Sequence, residues 1–168
     1  MSKKIVELWK KIKPYILPYA VAIAIPMTVG LISAALTKDN MNVYDKLTTP
    51  PLSPPGILFP IVWTILYILM GVSSAMVYMD KEKNPESAKK GLIWYGASLI
   101  FNFSWSIIFF NMQAAFFALL VLIALLYTII RTILEYRKVN PTAAYLQIPY
   151  AVWVAFAGYL NVGIWLLN

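Results

Sequence analysis

Long apolar stretches separated by short polar ones run the whole length of the chain. Charged residues are absent from Pro14 to Thr37, Leu47 to Met79, Gly91 to Ile130 and Val139 to Asn168. A helix that crosses a bilayer needs about 20 apolar residues, so each stretch is long enough, and the third is long enough for two helices broken at Asn111, Met112 and Gln113. The pattern predicts an all-α integral membrane protein, a single domain over residues 1–168, with five spans. These are Tyr15 to Leu36, Gly56 to Tyr78, Gly91 to Phe110, Ala114 to Leu134 and Thr142 to Leu167. The first apolar run is too long for a secretory signal and lacks a small-residue cleavage site, so it is read as a mature helix.

Within the spans, residues three, four or seven apart share a helix face. Phe59, Trp63, Tyr67, Met70 and Ser74 form one such stripe in the second span, Ser98, Asn102, Trp105 and Phe109 another in the third. Tyr150, Trp153, Ala157 and Asn161 form a broader one in the fifth. Three aromatic and weakly polar stripes suffice to line one cavity. The simpler alternative is an interfacial aromatic belt, with Asn102 and Asn161 making interhelical hydrogen bonds of about 0.6 kcal/mol each. Trp9, Trp94 and Trp165 lie near span ends and fit the belt, whereas Trp63 and Trp153 lie well inside their spans and are the stronger cavity candidates. Trp105 is placed with them by its shared face with Ser98 and Asn102.

Prolines and small residues shape the same picture. Pro26, Pro60 and Pro149 fall inside predicted spans, where a missing backbone donor bends or weakens a helix. Four-residue pairs of small residues, Ala20 with Ala24, Gly30 with Ala34, Gly71 with Ala75 and Ala114 with Ala118, permit close helix approach without choosing a face. The longest connection, Thr37 to Pro55, has turn-forming Asn40, Asn42 and Asp45, followed by Pro50, Pro51, Pro54 and Pro55, which stiffen the backbone. Such a loop is either a lid over the outer mouth of the bundle or a rigid connector.

Composition and charge narrow the chemistry. Hydrophobic residues make up 61% of the chain and charged residues 12%, unlike a soluble domain. Lys3, Lys4, Lys10, Lys11, Lys13, Lys81, Lys83, Lys89, Lys90, Arg131, Arg137 and Lys138 fall on one side of a five-span topology and only Lys38 and Lys46 on the other. The positive-inside rule then puts the N-terminus in the cytoplasm and the C-terminus outside. The net charge of +7 is thus a topology signal, and with no aromatic-basic patch it does not indicate nucleic acid as a partner. The chain has no Cys and no His, so disulfides, thiolate catalysis and the commonest metal ligands are excluded, and no metal site is expected. No carboxylate lies inside a predicted span, which disfavours an ion-coupled transporter.

The stretches YDKLTTPPLSPPGILFPIVWTILYILMG (Tyr44 to Gly71), FNFSWSIIFF (Phe101 to Phe110) and PYAVWVAFAGYLN (Pro149 to Asn161) resemble the TspO/MBR family, the tryptophan-rich sensory proteins and mitochondrial translocator or peripheral benzodiazepine receptor proteins. The resemblance implies a five-helix bundle, homodimeric, with a pocket under the first loop for tetrapyrroles, isoquinoline-carboxamide or benzodiazepine-type drugs and, in some members, sterols. It implies ligand-binding positions at Ser33, Tyr44, Pro54, Phe59, Trp63, Tyr67, Asn102, Trp105, Leu122, Trp153 and Ala157. Trp63 and Trp153 match the tryptophan pair associated in bacterial members with light-dependent porphyrin breakdown, so their expected role is catalytic in that sense.

Three departures qualify the resemblance. Leu52 stands where many relatives have tryptophan, and Val121 where many have aspartate. The C-terminal LNVGIWLLN lacks the tyrosine and basic residue of the animal sterol motif, so sterol binding there is not expected.

The reading is a membrane receptor or sensor holding a tetrapyrrole between indole and phenol rings, with no required cofactor. Without His or Cys a haem lacks its usual strong axial ligands, which favours metal-free protoporphyrin IX. The alternatives are a transporter of tetrapyrroles or other amphiphiles and a ligand-regulated membrane scaffold. No acid-base or nucleophilic constellation supports conventional enzyme chemistry. The expected partners are the hydrophobic ligand, membrane lipid and a second copy of the chain, in a bacterial cytoplasmic membrane.

Overall fold

The structure, a computed structural model, describes residues 3–41 and 43–168, with side chains described at 16–41, 43–44 and 46–168. The chain runs through α1 (Lys3–Thr37), a 3-10 turn (Lys38–Asn40), the short α2 (Val43–Lys46) and α3 (Leu58–Met79). After a second 3-10 turn (Lys81–Lys83) follow α4 (Pro85–Ser106), extended by a π turn over Ile107–Asn111, then α5 (Ala115–Arg137) and α6 (Pro141–Leu167). Five segments of 22 to 27 residues are long and apolar enough to cross a membrane, and at about 1.5 Å rise per residue each exceeds the roughly 30 Å hydrocarbon core. The expected side chains of Trp9, Asn42, Asp45 and the lysines at 3, 4, 10, 11 and 13 lie outside the described residues.

Helix starts are set by two Asn-Pro pairs. Asn84 accepts a hydrogen bond from the Ser87 N–H (3.2 Å) with Pro85 following, and Asn140 accepts from the Ala143 N–H (3.1 Å) with Pro141 following. Asparagine satisfies an orphan amide at the N-cap, and proline suits the next position because it has no N–H to lose. This is why α4 begins at Pro85, ahead of the Gly91 start predicted from its apolar run. Glu86 and Lys90, which interrupt the apolar pattern, pair one turn apart at 2.6 Å on that extra length. The Asn140 amide also donates to Asp80 Oδ2 (2.7 Å), joining the loop before α4 to the loop before α6. Asp80 additionally meets Lys83 at 2.9 Å, and hydrogen bonds from Lys83 and then Asn140 hold its carboxyl below the usual carboxylate range.

The break expected at Asn111 to Gln113 is present, with Gln113 in the left-handed region (φ 51). Pro60 departs from the expectation. With α3 starting at Leu58 it stands in the first turn, where its missing N–H removes no intrahelical bond, so it starts the helix rather than bending it. Pro26 and Pro149 do lie in helix interiors.

The helices form a closed ring in the order α1, α3, α6, α5, α4, with α4 returning to α1. Lipid tails are as apolar as the side chains, so close packing and hydrogen bonds, not apolar burial, drive helix association. Gly71 of α3 lies against the Ile23 backbone of α1, and Gly91 of α4 against the Tyr136 ring of α5. Ser73 Oγ–H donates to the Ala143 carbonyl (2.7 Å) and Gln147 Nε2 donates to Ser73 Oγ (3.1 Å), locking α3 to α6 in the buried core. Large apolar residues such as Ile65, Ile100, Phe117 and Val152 point outward, as a lipid-facing surface requires.

Candidate functional site

Between α1, α3, α4 and α6, at the end of the bundle that carries the first loop, lies a cavity of about 530 Å³. This falls within the ~300–1,000 Å³ range of small-molecule sites. Its α3 wall is the stripe Phe59, Trp63 and Tyr67, spaced four residues apart so that all three rings share a face. Trp63 stacks on Tyr67 (centroids 5.5 Å apart, planes at 28°) and meets the buried Tyr150 of α6 edge-on at 6.1 Å. At the end that carries the first loop, Tyr44 of α2 packs edge-on against Phe59 at 5.2 Å.

The α4 wall is Asn102, Trp105 and Phe109, with Trp105 stacked on Phe109 at 5.3 Å. Hydrogen bonds fix this wall. Trp105 Nε1–H donates to Asn161 Oδ1 (3.2 Å), and Asn161 Nδ2 donates to the Ala115 carbonyl (2.7 Å). Asn102 Nδ2 donates to the Tyr150 hydroxyl (3.0 Å). Both asparagines therefore border the cavity and make interhelical hydrogen bonds, so the two readings of them hold together. From α1 come Gly30, Ser33, Ala34 and Thr37, and Thr37 Oγ1–H turns back to the Ser33 carbonyl (2.9 Å). Small side chains here leave the space that the rings of α3 and α4 border.

Of the expected ligand-binding positions, Ser33, Tyr44, Phe59, Trp63, Tyr67, Asn102, Trp105 and Ala157 come together around this cavity. Trp153, Pro54 and Leu122 stand off it. Trp153 lies behind Phe59 (5.9 Å, edge-on) and beside Phe156, with its buried Nε1–H lacking a partner among the described residues. Pro54 contributes a carbonyl that faces the Tyr44 hydroxyl at 3.4 Å. Leu122 is 3% exposed in the core of α5, a helix that supplies no lining residue.

Sequence reasoning left out most of the α1 wall, together with Ser106, Phe110 and Leu160. The α1 signal was present in the spacing of Met27, Gly30, Ala34 and Thr37 along one face. No described side chain lining the cavity carries a charge. The site suits a flat, largely apolar ligand held by ring contacts and a few neutral donors and acceptors.

The profile of the TspO/MBR family matches residues 22–166. The chain belongs to the TspO/MBR family. Among its TspO/MBR relatives, the tryptophan-rich protein TspO of Chlorobaculum tepidum is 37% identical over 154 residues, covering 91% of this chain and 97% of the relative. The tryptophan-rich sensory protein of Cereibacter sphaeroides is 32% identical over 152 residues, covering 90% of each chain. The translocator protein of Bos taurus is 31% identical over 142 residues, covering 84% of each. This TspO/MBR chain is thus similar along nearly its whole length to bacterial and mammalian members alike.

Proposed function

We propose that this protein is a membrane receptor or sensor whose cavity binds a tetrapyrrole, metal-free protoporphyrin IX above all, and accepts isoquinoline-carboxamide or benzodiazepine-type compounds. The observation that carries the reading is a charge-free cavity bordered by two stacked aromatic pairs, Trp63 with Tyr67 and Trp105 with Phe109. A planar macrocycle gains most from such rings, because offset and edge contacts add about 0.5–1.5 kcal/mol each beyond buried area. The propionates extend to the outer mouth, where the loop over residues 37–55 acts as a lid.

In the light-dependent porphyrin breakdown that we propose as an accompanying reaction, Trp63 is the residue that meets the ligand. Trp153 acts from behind Phe59. Transport of an amphiphile is a second reading, favoured by the exposed Leu31, Ala34 and Thr64 among the lining residues of α1 and α3. We further propose a homodimer in a bacterial cytoplasmic membrane with the basic-rich end of the bundle in the cytoplasm. The basic residues at 81–90 and 131–138 support that orientation.

The test is a titration of purified protein in detergent, in the dark, with protoporphyrin IX, followed by tryptophan quenching and porphyrin absorbance and then by illumination. Saturable binding in the unmodified protein, weakened in Trp63→Phe, is the expected result. Loss of porphyrin under light that stops in Trp63→Phe/Trp153→Phe supports the breakdown. Absence of saturable binding overturns the tetrapyrrole reading. Porphyrin flux into sealed vesicles without chemical change supports transport instead.

A further inference from the structure

At the basic-rich end of the bundle, away from the cavity, the outer faces of α4 and α5 carry a second arrangement of charge and aromatic rings. Arg131 stands six residues before the end of α5 at Arg137, about 9 Å inside by helical rise. Its guanidinium lies over the ring of Trp94 at 5.3 Å, and Trp94 meets Tyr127 edge-on at 5.7 Å. The nearest carboxylate, Glu135, is engaged elsewhere: both its oxygens accept from Lys138 Nζ at 3.0 Å, while Arg131 Nη2 stays 4.0 Å from Oε1. Arg131 Nε is buried and has no acceptor among the described residues. Arg131, Glu135, Arg137 and Lys138, three cations and one carboxylate, line a shallow recess with Leu134. Tyr127, Ile130 and Leu134 around it are exposed on the lipid-facing side.

A guanidinium stacked on one face, whose only carboxylate neighbour among the described residues sits at 4.0 Å and is already engaged by Lys138, keeps Nη donors free for a second anion. Its fork of N–H donors matches the oxygens of a phosphate, and Trp94 and Tyr127 mark the level where headgroups and acyl chains meet. We propose that this recess binds the phosphodiester of an anionic glycerophospholipid in the adjacent leaflet, with the exposed Nη–H groups of Arg131 donating to the phosphate oxygens. The excess of cations over carboxylate selects an anionic headgroup over a zwitterionic one. The acyl chains run along the exposed apolar surface of α4 and α5. This inference is independent of what the cavity binds.

Native mass spectrometry of the detergent-purified full chain, titrated in parallel with dioleoyl phosphatidylglycerol and dioleoyl phosphatidylcholine, tests it. The expected result is tighter binding of the anionic lipid by about five-fold, the scale of one basic side chain at an anionic surface. The preference disappears in Arg131→Gln and is unchanged in Lys81→Gln, whose cation lies over Tyr78 at the same end. Equal binding of the two lipids by the unmodified protein overturns the proposal whether or not any variant folds. An unchanged preference in Arg131→Gln also overturns it. Inorganic phosphate in excess distinguishes the source of the anion. Persistence of the lipid preference supports a lipid site, and its abolition, with phosphate adducts in its place, overturns the lipid assignment in favour of a free anion.

Discussion

Gly30 of α1 lies directly against the ring of Tyr67 on α3, so close that a Cβ at position 30 would overlap the ring. The smallness of residue 30 thereby sets where Tyr67 stands and, through their stacking, where Trp63 stands. Gly30→Ala should gain about 1 kcal/mol in helix propensity and lose roughly 1–3 kcal/mol to overpacking, leaving stability little changed because the ring can turn into the cavity. Ligand affinity should fall by about ten-fold, ~1.4 kcal/mol. Thermal unfolding and porphyrin quenching on the same samples separate the two effects, and unaltered affinity would show that Tyr67 is not a wall the ligand feels.

Asn161 holds Trp105 in place while anchoring itself to the Ala115 carbonyl. Asn161→Leu strands the indole N–H and removes the interhelical tie to that carbonyl. Hydrogen bonds between membrane helices average about 0.6 kcal/mol and reach roughly 1.7, so a double-mutant cycle with Trp105→Phe should return a coupling in that range. A coupling of zero would mean that ring packing alone orients Trp105.

The first loop is fastened to α6 at three points. Asn168 Oδ1 accepts from the Thr48 N–H (2.9 Å) while its Nδ2 donates to the Thr48 carbonyl (3.0 Å). Tyr159 O–H donates to the Pro51 carbonyl (2.8 Å), and Gly163 receives the ring of Pro50. With a net value of about 0.5–1.5 kcal/mol per hydrogen bond, Asn168→Ala should raise hydrogen exchange at the Thr48 amide by about three- to ten-fold. Tyr159→Phe should free the Pro51 segment and speed ligand release.

Leu52 is 83% exposed and adopts φ 67, a left-handed conformation that a branched side chain tolerates poorly. Ser53 Oγ–H closes the turn onto the Pro50 carbonyl at 2.7 Å. Leu52→Gly removes a strain of about 1–2 kcal/mol, offset in part by the greater freedom of glycine in the unfolded chain. Its midpoint of thermal unfolding should rise slightly, whereas Leu52→Ile should lower it.

Asp80, outside the spans, has its carboxyl held below the ordinary range by Lys83 and Asn140. A depressed folded-state pKa contributes stability that is present above the unfolded value of about 3.9 and is lost as pH falls through the folded value. Unfolding curves of the unmodified protein and Asp80→Asn should therefore differ near neutral pH and converge progressively as the pH falls below about 4, the unfolded value, toward the lower folded one. A difference that does not shrink as the pH falls below about 4 would assign the effect to something other than this carboxylate.

Much of this arrangement was legible in the sequence because bilayer thickness imposes span length and because aromatic residues at four-residue spacing mark a face. Phe59, Trp63, Tyr67, Asn102, Trp105 and Ala157 were all readable that way. The early start of α4 was not, since Glu86, Lys89 and Lys90 end the apolar run while Asn84 and Pro85 start the helix. Nor did spacing reveal that Trp153 stands behind Phe59, because Pro149 and the crossing of α6 against α3 decide which part of its face meets the cavity. The wall of α1 was readable in principle from Gly30 and Ala34, but small residues signal close packing and empty space equally, and only the partner helix decides between them.

The order of helices around the ring bears on how the protein is made. The last span, α6, is the wedge between α3 and α5, and it brings Ala157 and Asn161 to the cavity. As the chain leaves the ribosome, α1, α3, α4 and α5 reach the membrane as two hairpins with a missing wall. The cavity closes only when α6 slots between α3 and α5, so the four earlier helices cannot form the proposed binding site by themselves.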